Sequence, residues 1–109
     1  MKWKITFYSE KVELETLKFP AGILANFLHI AEMIEDLGPN LGKPYVGKLG
    51  PGLYEIRAKG KEGIGRSIYC MAKGKAKEIV ILHSFIKKSQ KTPKKELDLS
   101  KKRMKEVLR

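Results

Sequence analysis

Two histidines (His29, His83) and one cysteine (Cys70) are the side chains best suited to a structural zinc site, and they show no HxxxH or CxxC spacing. No glycine-rich loop runs into Lys-Ser or Lys-Thr, as a nucleotide phosphate site would require. Neither a metal nor another cofactor is expected. Cys70 lies within an alternating apolar stretch, where a lone thiol is ordinarily inert packing rather than a nucleophile. What remains is a set of cations and one imidazole, His83, near the ends of apolar runs. Such groups suffice for metal-independent cleavage of RNA. The substrate brings its own nucleophile, the 2′-OH. The protein must orient it, stabilise a phosphorane carrying extra negative charge, and help the 5′-oxygen leave. Guanidinium forks suit the phosphorane because they bind two oxygens at once. His83 can lend or take a proton near neutral pH.

The charge distribution supports a polyanionic partner. Of 109 residues, 23 are Lys or Arg and 12 are Asp or Glu, a net charge of +11. Residues 1–54 hold 6 basic and 6 acidic side chains, whereas residues 55–109 hold 17 and 6, so the second half carries the whole excess. Lysine-rich surfaces also keep proteins soluble, and basic helices can lie on anionic membranes. Asymmetry between halves is nonetheless the footprint that nucleic acids and acidic partners leave. No apolar run approaches the roughly 20 residues of a membrane span, and MKWKITFY lacks the apolar stretch of a secretory signal. A single cysteine agrees with a reducing cytoplasm. The length suits one domain over residues 1–109, which can bury roughly 60–70% of the surface of its unfolded chain.

The elements that must position these groups follow from periodicity. Lys2–Tyr8 alternates, with Trp3, Ile5 and Phe7 on one side, and reads as a half-buried strand. Ser9 and Glu10 open a short helix through Leu17. Pro20 suits the first turn of the next helix, where Ile23, Leu24, Phe27, Leu28, Ala31, Ile34 and Leu37 recur at steps of three and four until Gly38-Pro39 stops them. Asn40–Gly52 reads as a Gly- and Pro-rich loop. Three strands are expected at Leu53–Lys59, Gly65–Ala72 and Lys77–Ile86, joined by the hairpin connections GKEG and KGKA. Thr92 reads as an N-cap, with Pro93 in the first turn of a lysine-rich helix carrying Leu97, Met104, Val107 and Leu108. The order is a strand, two helices, an antiparallel three-strand meander and a C-terminal helix, an α+β domain.

Alternation then sorts side chains by face. Tyr54, Ile56 and Ala58 should pack under the helices, leaving Glu55, Arg57 and Lys59 on an uncovered face. His83 is expected to share a face with Ile81 and Phe85. The pattern alone leaves open which face of the last two strands looks outward.

Taken together, KLGPGLYEIR (Lys48–Arg57), GRSIY (Gly65–Tyr69), IVILHSFIKKSQKTP (Ile79–Pro93) and KKR (Lys101–Arg103) resemble the RelE/HigB superfamily of toxin–antitoxin ribonucleases, especially its phage-associated HigB-like branch. The resemblance runs from Leu49 to about Arg103; the N-terminal half fits by its strand–helix–helix order. It implies a RelE-like fold and a ribosome-dependent mRNA endonuclease that inhibits translation. It also implies an antitoxin from an adjacent gene, often a helix-turn-helix protein. Arg57 and Arg66 match the basic residues that grip the scissile phosphate, which favours Arg66 outward beside Arg57. Lys87 and Lys88 match the basic group after the last strand, and His83 lies within one or two positions of a histidine general acid found in some relatives. On this reading the catalytic set is Arg57, Arg66, His83 and Lys87, and RNA is touched by Lys48, Phe85, Lys88 and Lys91. Where some relatives carry a glutamate base before the first hairpin strand, this chain has Tyr45.

Plainer readings stand beside these. Glu55 fits an ion pair, with neighbours of Arg57 or with Arg66 across the strands, better than a catalytic role. Arg66 could be a surface residue, and His83 an ordinary strand histidine. Phe85 fits core packing better than base stacking. Lys101, Lys102, Arg103 and Lys105 form a solvated helix face that would also attract ribosomal RNA, and His29 is structural. Members of the same fold that poison DNA gyrase, or a simple nucleic-acid-binding module, are the alternatives to cleavage.

Overall fold

The apolar alternation near the N-terminus becomes strand β1 (Lys4–Phe7), and Ser9 ends it by capping the next helix. The Ser9 hydroxyl accepts from the Val12 backbone N–H at 3.3 Å, satisfying one orphan donor at the start of α1 (Glu10–Leu17). Helix α2 (Ala21–Leu37) buries Ile23, Phe27, Ile30 and Ile34 at steps of three and four. Pro20 stands at its N-cap rather than inside the first turn, and Gly38 ends it with φ of 92°, a left-handed conformation that glycine adopts at no steric cost. The computed structural model describes residues 2–74, 76–88 and 91–109. Lys75 of the KGKA connection, and Ser89 and Gln90 of the third matched stretch, lie outside them.

Four strands follow: β2 (Val46–Gly50), β3 (Leu53–Gly60), β4 (Gly63–Met71) and β5 (Glu78–Lys87), then α3 (Lys94–Val107). The sheet is five-stranded and mixed, ordered β1-β5-β4-β3-β2. Its antiparallel part has four strands rather than three, and β1 joins β5 in parallel. The extra strand is β2, inside the expected Asn40–Gly52 loop. Its sequence, VGKLG, has two glycines and no continuous alternation, so pairing with β3 rather than local propensity makes it a strand.

Each face of the sheet has a core. Ile56, Ala58, Tyr69, Ile79 and Ile81 pack against Val12 of α1 and the buried row of α2. Leu53, Ile68, Cys70, Val80 and Leu82 pack on the other face, against Leu97, Met104 and Val107 of α3. A fully buried aliphatic side chain is worth about 1.5–3 kcal/mol. Slipping β3 by one residue would forfeit Ile56 and put Glu55, Arg57 and Lys59 beneath α2, so the register is strongly set. The face expected to be uncovered is therefore covered over part of its length by α3, and open only beyond it.

A β-bulge in β5 redirects one side chain. Ile68 pairs with His83 and Tyr69 with Ile81, so Leu82 is an extra residue. Ile81 packs beneath α1 and α2, whereas Leu82, His83 and Phe85 lie on the α3 side. His83 thus shares a face with Phe85 but not with Ile81, because strict alternation breaks at Leu82. Arg103 of α3 supports the bulge: its Nη1 donates to the Leu82 carbonyl at 2.7 Å, and its guanidinium lies over the Tyr8 ring, 5.1 Å from the centroid.

The N-cap of α3 is Pro93, with no side-chain cap. Thr92, expected to cap it, instead turns its hydroxyl toward the sheet, where an arginine and a carboxylate occupy it.

Candidate functional site

Beyond the part covered by α3, the ladders bring site residues into rows. Arg57 pairs directly with Arg66, and Arg66 with Phe85. Two residues along each strand, Lys59 pairs with Ile64, and Ile64 with Lys87. Arg57, Lys59, Ile64, Arg66 and Lys87 line an open hollow of about 290 Å³. Four cations converge there on a surface too small to separate them.

Like charges directly opposite in a ladder repel, and Glu55 offsets this. It is fully buried and divides its carboxylate: Oε1 accepts from Arg66 Nη1 at 3.0 Å, and Oε2 from Arg57 Nε at 2.9 Å. The Thr92 hydroxyl accepts from the same Arg66 Nη1 at 2.5 Å and lies 3.5 Å from Glu55 Oε1. The Arg66 side chain is only 5% exposed, whereas that of Arg57 is 30% exposed and presents more of the cationic surface. One carboxylate against Arg57, Lys59, Arg66 and Lys87 leaves the hollow strongly positive. Burial, then the neighbouring Arg66 guanidinium, hold the Lys87 ammonium below the usual lysine range; Glu55 pulls the other way, and Arg57 and Lys59 add to the lowering.

The expected site residues divide accordingly. Arg57, Arg66 and Lys87 come together. Phe85 is on their face, half-buried against the α3-side core, with its ring stacked on His83 at 5.4 Å between centroids. His83 does not line the hollow. Its side chain is 11% exposed and its Nε2 lies 2.9 Å from Glu96 Oε1 of α3, while Nδ1 is buried with no hydrogen-bond partner among the described residues. Lys48 is exposed and alternates with Gly47, which faces the arginines; it therefore falls on the α2 side, away from the hollow. Lys88 and Lys91 are exposed just beyond β5. Tyr45 is half-buried and packs against the α2-side core.

Two participants escape sequence reasoning. Thr92 looks like a helix cap, and nothing local signals its long reach to Arg66. Glu96 lies on a helix whose contact with His83 depends on the bulge. Lys59, by contrast, falls in the same alternating series as Arg57. Among the described residues, no group of three or more His, Cys, Asp or Glu side chains is placed to hold a metal ion. No helix among them is long and apolar enough to cross a membrane. A larger groove of about 700 Å³ runs along β1 and α1, but Glu10 and Glu13 line it without a cation, the wrong sign for a phosphate.

With this geometry in hand, the similarities to known proteins are specific. Residues 15–105 match the family described as Phage derived protein Gp49-like (DUF891). The fold resembles the archaeal RelE–RelB complex from Pyrococcus horikoshii OT3, with 27% identity over 79% of this chain and 96% of that one, and a TM-score of 0.55. It also resembles the YoeB–YefM complex from Staphylococcus aureus, with 17% identity over 81% of this chain and 100% of that one, and a TM-score of 0.56. No curated protein sequence matches.

Proposed function

Because the chain belongs to the Phage derived protein Gp49-like family, within the RelE/HigB-like toxin superfamily, we propose that it is the toxin of a type II toxin–antitoxin pair and cuts mRNA on the ribosome. The observation that carries this reading is the pairing of Arg57 with Arg66 at the wall of an open cationic hollow. A scissile phosphate seated there meets the Arg57 guanidinium and the Lys87 ammonium, with Arg66 beneath. As the pentacoordinate phosphorane forms, it gains negative charge, and fixed cations stabilise it more than the ground state. The 2′-oxygen bonds to phosphorus as its proton leaves, and the P–O5′ bond breaks. The products are a 2′,3′-cyclic phosphate and a 5′-OH end. The leaving oxygen takes a proton from Lys87, which lines the hollow and whose lowered pKa makes it a better acid than an ordinary lysine; His83, held by Glu96 outside the hollow, is the second candidate donor. Tyr45 does not line the hollow as a base, and the 2′-OH proton passes to water.

The partners follow from the same reading: mRNA on the ribosome, in the cytoplasm, and an antitoxin from an adjacent gene, of the helix-turn-helix kind. The complexes with RelB and YefM support an antitoxin partner. Mapping mRNA ends after brief induction tests the activity. Fragments with 5′-OH ends cut within codons are expected. Intact mRNA with DNA damage would favour a gyrase poison, and RNA binding without breakage a plain binding module.

A further inference from the structure

Gly47 stands opposite Glu55 in the β2–β3 ladder, and the space of its missing side chain is filled by the Arg57 guanidinium. A Cβ on Gly47 would lie 2.4 Å from Arg57 Nη2, 2.8 Å from Cζ and 3.3 Å from Nε. The first two are closer than non-bonded carbon and nitrogen atoms approach. Backbone conformation does not explain this glycine. The glycines with left-handed φ are Gly38, Gly42, Gly52, Gly63 and Gly74; Gly47 has strand geometry that any residue adopts. Gly65 differs again, since its missing side chain makes room for Ile23 and Phe19 in the α2-side core. At Gly47 the space is taken by a charged side chain at the edge of the hollow.

We propose that Gly47 is a positioning residue for Arg57. Without a side chain there, the guanidinium lies down on β2 with Nε on Glu55 Oε2 at 2.9 Å, and its remaining donors are held at the wall of the hollow. A methyl group at position 47 lifts the guanidinium off this seat. Because the clashing atoms are the end of a flexible side chain, the fold accommodates the change by moving Arg57 rather than the strands. Alanine in a strand also costs no more backbone entropy than glycine. The expected result is therefore a folded protein with a displaced guanidinium, and a misplacement of about 1 Å can cost about 100-fold in rate. The consequence for catalysis rests on the ribonuclease reading above; the seat itself does not.

The test is Gly47→Ala in the full chain, with two readouts. The first is the ¹⁵N–¹H NMR signal of Arg57 Nε–H, assigned by its loss in Arg57→Lys. The second is single-turnover cleavage of ribosome-bound mRNA. Gly47→Ala should keep the melting temperature, shift the Nε–H signal toward that of a solvent-exposed arginine, and slow cleavage about 10- to 100-fold. In an Arg57→Ala background it should slow cleavage no further. An unmoved Nε–H signal, a loss that adds fully to that of Arg57→Ala, or a moved signal with undiminished cleavage would each overturn the proposal. If the native protein cuts no mRNA, the ribonuclease reading fails, while the Nε–H signal still decides whether the seat exists.

Discussion

Glu55 holds Arg57 and Arg66 with separate oxygens of one buried carboxylate, so the two arginines are coupled through it rather than stabilised independently. The coupling is asymmetric. Removing either arginine leaves Glu55 with a partner, but removing Glu55 leaves a nearly buried Arg66 charge beside another cation. Breaking a buried pair in this way costs about 3–5 kcal/mol, a large share of the roughly 5–15 kcal/mol that stabilises a whole domain. Glu55→Gln should lower the unfolding free energy by about that amount in urea denaturation. Arg66→Ala should cost less, and the double variant should be more stable than Glu55→Gln alone. A Glu55→Gln protein as stable as the native one would show that the carboxylate does not carry the pair.

Arg66→Ala also tests the chemistry. Arg66 is a fixed positive charge beneath the developing oxyanion, and its loss should slow cleavage by up to about 100- to 1,000-fold, the cost of losing a direct donor. The variant should therefore no longer arrest growth when induced, yet should still co-purify with its antitoxin, because Arg66 is almost wholly buried and adds little to the outer surface. Undiminished growth arrest would remove Arg66 from the mechanism.

The residues that build the hollow differ in how far the sequence reveals them. Strand β3 and the face of Arg57 are legible, because its alternation is strict and Ile56 and Ala58 can pack only under the helices; alternation in β4 leaves the face of Arg66 open, and only the family resemblance puts it beside Arg57. Helix α2 is legible for the same reason at helical spacing. Strand β2 is not, because an edge strand with two glycines has no periodic signal of its own; its strand character comes from β3. The face of His83 is misread by alternation because Leu82 is an insertion in the ladder, and a bulge has no residue-type signature here. Thr92 is misread because a threonine before a proline fits a helix cap locally, and only the fold reveals the buried arginine within its reach.

Lys87 offers a pH test. Burial and the Arg66 charge lower its pKa, so it loses its positive charge at a lower pH than an ordinary lysine. If it acts as a cationic clamp, cleavage should decline on the alkaline side as Lys87 deprotonates. Lys87→Arg should then keep most of the neutral-pH rate and extend it to higher pH, since a guanidinium stays charged throughout the range in which a lysine loses its proton. A pH–rate profile of single-turnover cleavage reads this directly. Loss of the rate at neutral pH in Lys87→Arg, with RNA affinity unchanged, would instead make Lys87 the proton donor.

His83 is the remaining candidate for that proton, and its setting sharpens the question. Its Nε2 is engaged by Glu96, its ring is stacked on Phe85, and it lies outside the hollow that Arg57, Arg66 and Lys87 line. Such a residue can dock α3 on the sheet without touching RNA. His83→Gln separates the two roles, because an amide can still hydrogen-bond Glu96 but cannot hand a proton to a leaving oxygen. If His83 supplies the proton, the variant should fold with an unchanged melting temperature yet cleave about 100-fold more slowly, as expected for loss of a general acid. Full cleavage would mean that His83 serves only to hold α3, and the leaving oxygen would then be protonated from Lys87 or from water.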